Sequence, residues 1–168
     1  MKKTNAFNLL ICLALFISGC GYTAKAYYLP SSMKSVYIQT LINKTEEPNL
    51  ENELKTKLVA AFQNDGNLAI AANNDAADAH LKGEIVGYTR QVMRYTSDES
   101  VQEYKLNITV NFEFIDLSSG KPIVKADNFS GNACYYLSGA NAKSETSARA
   151  EALDNLSRLM LNKIITLW

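Results

Sequence analysis

The sequence is poor in cysteine, proline and histidine, and the single histidine restricts what chemistry the chain can perform. Of its 168 residues, three are cysteine, three are proline and one is histidine. A metal cluster or a Ser-His-Asp arrangement would have to be built around His80 alone. We therefore interpret His80 as a structural or surface residue.

Other signatures of catalysis are also missing from the pattern. Gly83 and Gly87 lie four residues apart within a strand-like stretch, which indicates a bulge or close backbone packing rather than a phosphate-binding loop. Asp116 and Asp127 are expected near strand ends, and no pattern brings them together as a carboxylate pair. We expect a protein that is not an enzyme and that uses no metal and no cofactor other than attached lipid.

Positive and negative charges are balanced in the full sequence. Lysine plus arginine and aspartate plus glutamate each total 17, so no global charge favours a nucleic-acid partner. With 47% hydrophobic and 20% charged residues, the composition is that of a globular protein. The length is that of one domain, with or without a targeting segment.

The apolar run near the start is too short to span a membrane. Residues 6–17 read AFNLLICLALFI and follow the basic start MKKTN. A spanning helix needs about 20 apolar residues, whereas a short apolar run behind lysines is typical of a secretory signal. The run ends in ISGC, which resembles the bacterial lipobox. The alternative is an ordinary signal peptide with an incidental cysteine.

The lipobox resemblance implies the domain boundaries and the anchor. Residues 1–19 would be removed as a lipoprotein signal peptide, and Cys20 would carry a diacylglycerol and an N-acyl chain. Residues 20–168 would form a single domain, of which 20–34 is a lipidated tether. Because residue 21 is glycine rather than aspartate, we expect the periplasmic face of the outer membrane. Cys134 is then the lone remaining cysteine; we interpret it as a small apolar residue, with an intermolecular disulfide as the alternative.

Hydrophobic periodicity predicts strands and helices in a definite order. A strand is expected around Val36 and Ile38, then a helix from Asn49 to Gly66 with an apolar residue every fourth position. A second strand changes parity after Gly87, as a bulge would require. A third strand is expected to bury its even positions from 104 to 114 and to expose its odd positions.

A fourth strand and a second helix complete the prediction. The strand follows the turn at 118–121, and the helix runs from Ser144 to Leu167 with Asp154 and Arg158 paired outside. Its apolar stripe comprises Ala148, Ala152, Leu156, Leu159, Met160, Ile164 and Leu167. We predict an α+β fold in which two helices pack on one face of a four-stranded, mainly antiparallel sheet, in the order β-α-β-β-β-α.

An ordered set of motifs resembles the LptE family of lipopolysaccharide-assembly lipoproteins. The motifs are GCGYT, INKTEEPNLENELKTKL, ADAHLKGEI and VQEYKLNITVNFEFIDLSSGKPI, followed by a helix rich in Ala and Leu. The resemblance implies a plug and assembly partner of the LptD β-barrel that helps lipopolysaccharide reach the cell surface. The polar odd face of residues 105–113 suits a polar barrel lumen, although a solvated sheet face has the same pattern.

The same resemblance suggests where lipopolysaccharide would bind. Family members carry basic residues in the regions of Arg94 and Lys143, and the predicted topology brings Arg90 to the same end of the sheet. Guanidinium and ammonium groups make charge-assisted hydrogen bonds to phosphate. Arg90, Arg94 and Lys143 are therefore the candidate lipopolysaccharide-binding residues, and scattered surface charge is the alternative.

Two other functions fit parts of the sequence. Outer-membrane lipoproteins that activate a peptidoglycan synthase share the lipobox and the N-x-T turn, but they usually need a long tether. Here about 15 residues separate Cys20 from the first strand, a reach of about 50 Å at most. A soluble-type lipid carrier would need a continuous apolar cavity.

Overall fold

A computed structural model describes residues 29–30, 32–139 and 142–166. The predicted signal peptide, Cys20 and most of the tether lie outside the described residues. Within the part described, neither helix combines the length and the hydropathy that crossing a membrane would require.

Two helices and one sheet account for the described chain. The strands are β1 (Ser35–Ile38), β2 (Ile42–Asn43), β3 (Ala69–Ile70), β4 (Ala79–Tyr95), β5 (Val101–Asp116) and β6 (Lys121–Tyr136); the helices are α1 (Leu50–Asp65) and α2 (Glu145–Ile165), and a 3-10 turn spans Asn74–Ala76. The sheet order is β3-β1-β4-β5-β6, and β2 pairs with β4.

The predicted α+β class is confirmed, with a sheet of six strands rather than four. The extra strands, β2 and β3, are two residues each and pair in parallel with β4 and β1 respectively. A strand of two residues covers a single period of alternation, which is too short for a sequence pattern to indicate. The meander of β4, β5 and β6 is antiparallel throughout, as expected.

Strand β5 alternates between a buried and an open side along most of its length. Its even positions from Leu106 to Phe114 are buried, whereas the odd positions between them are only partly covered. Residues paired across an antiparallel ladder share a face, so β4 and β6 extend both sides of β5. We call the side under the helices the covered face and the other side the open face. The prediction for this strand is confirmed from 106 to 114, whereas Tyr104 is only partly buried.

The glycines of β4 serve close packing and a bulge. The β4–β5 register shifts between Ile85 and Gly87, and the covered face continues at Tyr88 opposite Ile108. A Cβ on Gly83 would lie 2.3 Å from the Asn111 carbonyl oxygen, closer than real Cβ contacts allow. Both features agree with the sequence-based interpretation of these glycines.

Helix α1 begins and ends near the predicted residues. Gly66 adopts φ 76° and its N–H donates to the Phe62 carbonyl, which ends the helix in the left-handed conformation that glycine tolerates. Asn49 precedes the helix but its side chain makes no capping hydrogen bond. The predicted stripe is buried; it comprises Leu50, Leu54, Leu58 and Phe62.

Helix α2 differs from the prediction at one stripe position. Leu159 is 44% exposed, so its assignment to the buried stripe was wrong. Leu159 lies beside Met160 at the edge of the stripe, and the turn of the helix directs its side chain outward. Ser157, which was not part of the predicted stripe, is buried instead. The predicted outer pair is present, with 3.0 Å between Arg158 and Asp154. Leu167 lies outside the described residues.

Helix α2 approaches the backbone of β6 most closely at Gly131. A Cβ placed on this glycine would lie 2.5 Å from the Leu156 Cβ and 2.6 Å from the Leu156 Cα. Because the obstructing atoms include helix backbone, they cannot move aside independently. The position of α2 over the sheet therefore depends on a residue without a side chain at 131.

We expect Gly131→Ala to lower the free energy of unfolding by about 1–3 kcal/mol, because the added methyl overpacks the contact between α2 and β6. Urea denaturation followed by circular dichroism measures this change. Ser130→Ala, an exposed neighbour on the same strand, is the control and should remain within about 0.5 kcal/mol of the parent. Equal effects of the two substitutions would show that the close contact is unimportant.

Candidate functional site

The end of the sheet formed by the last residues of β4, the first of β5 and the last of β6 carries the predicted binding residues. We call this end, with the adjoining residues 96–100, 137–139 and 142–144, the tip. An isolated bridge joins Tyr136 to Ala142, which brings the chain before α2 to this end. Lys143 therefore lies at the same end of the sheet as Arg90 and Arg94.

The two arginines lie on opposite faces of the sheet. Arg90 pairs in register with buried Leu106 and thus belongs to the covered face. Arg94 pairs with Glu103 on the open face. Residues four apart in a regular strand share a face, but a register shift between Val92 and Arg94 reverses the second arginine. The three candidate residues therefore do not form one cluster.

Glu145, the first residue of α2, collects three hydrogen bonds at the tip. Its Oε1 accepts from the Tyr88 hydroxyl at 2.9 Å. Its Oε2 accepts from Nη1 of Arg90 at 2.8 Å and from the Tyr135 hydroxyl at 3.4 Å. Burial, reinforced by the adjacent carboxylate, raises the pKa of both tyrosines, so both hydroxyls remain protonated donors. The start of α2 is thus attached to β4 and β6.

A shallow cavity of about 520 Å³ lies beside this cluster. It is lined by Arg90, Tyr104, Tyr135, Leu137, Ala142, Lys143, Ser144 and Glu145. The Lys143 ammonium pairs with Glu151, which lies nearly two turns into α2. Two of the three predicted binding residues, Arg90 and Lys143, therefore line one cavity.

Every candidate cation at the tip is paired with a carboxylate, so the tip is not the simple basic patch that the sequence suggested. Arg94 lies 3.7 Å from Glu103, and Arg90 is paired with Glu145. The side chains of Arg90 and Arg94 are 55% and 60% exposed. Both guanidinium groups therefore remain open to solvent on one side, and a ligand anion can approach either of them without first breaking its ion pair.

The tip also exposes large apolar side chains that the sequence reasoning missed. Met93 is 51% exposed, Tyr95 60% and Leu137 52%. Leu137 lines the same cavity as Arg90 and Lys143. A surface with cations beside exposed apolar side chains suits a molecule that has both phosphate groups and hydrocarbon.

A second network fixes α2 against the start of α1. Both terminal nitrogens of Arg149 bind carboxylates, at 2.9 Å from Glu47 and 3.2 Å from Glu53. Asn43 shapes the loop that presents Glu47, because its Oδ1 accepts from the Thr45 N–H and its amide donates to the Glu47 carbonyl. The N-x-T motif thus forms a turn, as its sequence indicated, and the structure adds which groups Asn43 binds to shape it.

The predicted tether leads into the opposite end of the sheet, where β1 begins. The Asp78 carboxylate accepts from the N–H groups of Lys34 and Ser35, at 2.8 and 3.0 Å, and from the Ser35 hydroxyl at 2.9 Å. These bonds, with the Lys34 N–H bond first, lower the pKa of Asp78. Asp78 therefore fixes the point where the tether joins β1. The 16 residues of β5 separate this end from the tip by about 50 Å.

The remaining chemistry-bearing residues are isolated. Across 29–30, 32–139 and 142–166, no three His, Cys, Asp or Glu side chains are grouped as a metal site. Nε2 of His80 lies 2.9 Å from Oε1 of Gln39, and partial burial followed by the charge of Lys82 lowers the pKa of His80. Cys134 is a free, exposed thiol, because its position in β6 places it on the open face.

Comparison with known proteins identifies a family. The family model LptE, described as lipopolysaccharide-assembly, matches residues 33–167. This range includes both helices and every strand of the sheet. Among curated proteins, none matches the sequence.

Solved structures with the same fold include several bacterial lipoproteins. Lipoprotein B from Nitrosomonas europaea is 13% identical with a TM-score of 0.57, covering 87% of this chain and 91% of its own. A minor lipoprotein from Acinetobacter baumannii is 20% identical with a TM-score of 0.51, covering 79% and 92%. A PelC dodecamer from Paraburkholderia phytofirmans has 17% identity, a TM-score of 0.51 and the same coverage. At these identities the likeness shows the fold alone.

We expect Asp78→Ala to speed hydrogen exchange of the Lys34 and Ser35 amides several-fold, because both N–H groups lose their acceptor. In the parent, protection should persist above pH 3.8 and disappear only as the pH falls through the lowered pKa of Asp78. NMR exchange rates measure both effects. Asp116→Ala, which disrupts the β5–β6 turn instead, is the control. Protection that vanishes near pH 5, or an equal effect of the control, would contradict the assignment.

Proposed function

This chain belongs to the LptE family of lipopolysaccharide-assembly proteins, and we propose that it is an outer-membrane lipoprotein that plugs and helps to assemble the LptD β-barrel. In this role it assists the transport of lipopolysaccharide to the cell surface and its insertion there, without catalysing a reaction. The observation that carries the proposal is the family match across residues 33–167, which include the whole sheet and both helices.

The proposed anchor is the lipid on Cys20, held at the periplasmic face of the outer membrane. Several acyl chains attach a protein firmly, whereas one chain gives only marginal binding. The tether of about 15 residues reaches about 50 Å at most, which favours a partner within the membrane itself. Asp78 holds the last residue of this tether at the end of the sheet opposite the tip.

The open face suits the lumen of a barrel. Its central positions on β5, Asn107 and Thr109, pair with Asn132 and Ser130 on β6, so its middle is polar and uncharged. The lumens of large outer-membrane barrels are polar. The sheet extends about 50 Å, compared with about 40–45 Å for a bilayer including its headgroups. A plug anchored at the inner leaflet could therefore place its tip at the level of the outer leaflet.

The tip suits the proposed contact with lipopolysaccharide. Arg90 and Lys143 supply cations for the phosphates of lipid A, and both line the cavity that also contains Leu137. Arginine and lysine bind phosphate through charge-assisted hydrogen bonds. Arg94, on the open face, would contact a ligand that extends around the tip.

The first experiment tests the partner. We expect the tagged full-length protein, purified from its own detergent-solubilised outer membranes, to bring down a large β-barrel in equal amount. A photoreactive residue placed at Thr109 on the open face should crosslink to that barrel, because this face would lie against the lumen. The same residue placed at Gln63, exposed on α1, is the control. Recovery of a peptidoglycan synthase, or of no barrel, would support the activator alternative and contradict the plug role.

The second experiment tests the ligand. We expect Arg90→Ala and Lys143→Ala each to weaken lipopolysaccharide binding by about three- to tenfold, because each removes a charge-assisted contact to phosphate. Arg94→Ala tests whether the ligand reaches the open face. Binding is measured with purified protein and lipopolysaccharide in detergent. Lys125→Ala, at the tether end of the open face, should have no effect; a loss as large as those at the tip would mean that only net charge matters.

A further inference from the structure

The environment of Glu145 resembles an anion-binding site that is already filled. Its two carboxylate oxygens face a guanidinium and two tyrosine hydroxyls, from Arg90, Tyr88 and Tyr135. Each of these groups donates a hydrogen bond, as a phosphate oxygen would require. The anion they hold in the free protein comes from the chain itself.

This internal anion borders the cavity that the ligand would enter. Glu145, Arg90 and Lys143 line the same space, and the Glu145 side chain is 35% exposed. It can therefore turn toward solvent without unfolding a core. Glu145 also belongs to the first turn of α2, where the free N–H groups and the helix dipole favour any negative charge. A phosphate in its place would keep that favourable term.

Of the carboxylates near the cavity, Glu145 is the one that a phosphate would displace. Glu151 faces Lys143 alone. Glu47, which lies near Tyr88, is held by Arg149. Among the carboxylates that the structure describes at this end of the covered face, Glu145 alone accepts from three donors on two different strands.

We propose that Glu145 is an internal competitor for the phosphate of the ligand, and that it determines how strongly the tip discriminates phosphorylated from unphosphorylated lipid. This inference rests on the proposed lipopolysaccharide contact at Arg90. In the free protein the carboxylate holds Arg90; on binding, the phosphate takes Arg90 and the carboxylate moves into solvent. A singly charged or weakly bound anion gains too little to displace it, whereas a lipid with phosphate groups and acyl chains gains contacts at Arg90, Lys143 and Leu137 together.

The test compares two ligands that differ only in phosphate. The full-length protein in detergent is titrated with bisphosphorylated lipid A and with the same lipid after enzymatic removal of its phosphates. The variants are Glu145→Gln, Arg90→Ala and the double variant. Glu113→Gln is the matched control, because Glu113 also bridges two cations, Lys82 and Lys125, but at the tether end of the open face.

We expect Glu145→Gln to bind the phosphorylated lipid about threefold or more tightly than the parent, since a neutral side chain no longer competes with phosphate for the Arg90 guanidinium. Binding of the dephosphorylated lipid should not change, and Glu113→Gln should match the parent with both ligands. In the Arg90→Ala background the gain should disappear, because the competition acts through that guanidinium.

A measurement on the unaltered protein covers the case in which the variant does not fold. With ¹³C-labelled glutamate, the Glu145 carboxyl resonance should shift when phosphorylated lipid A is added and stay in place with the dephosphorylated lipid. An unmoved resonance, or a Glu145→Gln variant that binds no more tightly while Arg90→Ala still weakens binding, would overturn the competitor role and leave the proposed ligand contact standing. Equal binding by the parent and Arg90→Ala, with no preference for phosphate, would overturn both.

Discussion

The alternation along β5 is the constraint on which the rest of the molecule depends. Each even side chain from Leu106 to Phe114 enters the core and each odd one between them stays on the open side. Because neighbours in register share a face, this one strand determines which residues of β4 and β6 meet the helices. It separates a surface that must be packed from one that can meet a polar partner. A slip of one residue would exchange the two surfaces.

Two kinds of contact hold helix α2 on the covered face: close packing, and hydrogen bonds with ion pairs. At Gly131 the backbone of α2 lies against that of β6, so shape alone fixes the distance between the layers. Around Arg149 and Glu145, hydrogen bonds and charges fix the direction in which the helix begins. The cavity at the tip lies directly beside that beginning. The hydrogen bonds that fix the start of α2 and the groups that a ligand could reach therefore occupy the same turn of the helix.

Sequence patterns predicted what depends on periodicity and missed what depends on distant pairing. The strict alternation of β5 and the stripe of α1 repeat often enough to be unambiguous, whereas Leu159 lay one position from the stripe edge. Tyr88 and Glu145 are 57 residues apart in sequence, and no period links them. The parity change after Gly87 could be predicted from the sequence. That it would bring Tyr88 to Glu145 could not. The face of Arg94 depended on a second register shift, between Val92 and Arg94, that leaves no mark in composition.

The position of β1 gives the molecule a mechanical property. This strand runs parallel to both of its neighbours, with hydrogen bonds such as those from the Ala69 N–H to Lys34 and from the Gln39 N–H to Leu81. A pull on the tether along the strand axis loads these bonds in shear, so they must fail together rather than open one at a time. Force applied at the start of β1 would therefore meet the sheet in its strong direction, and the tip would be carried along with it.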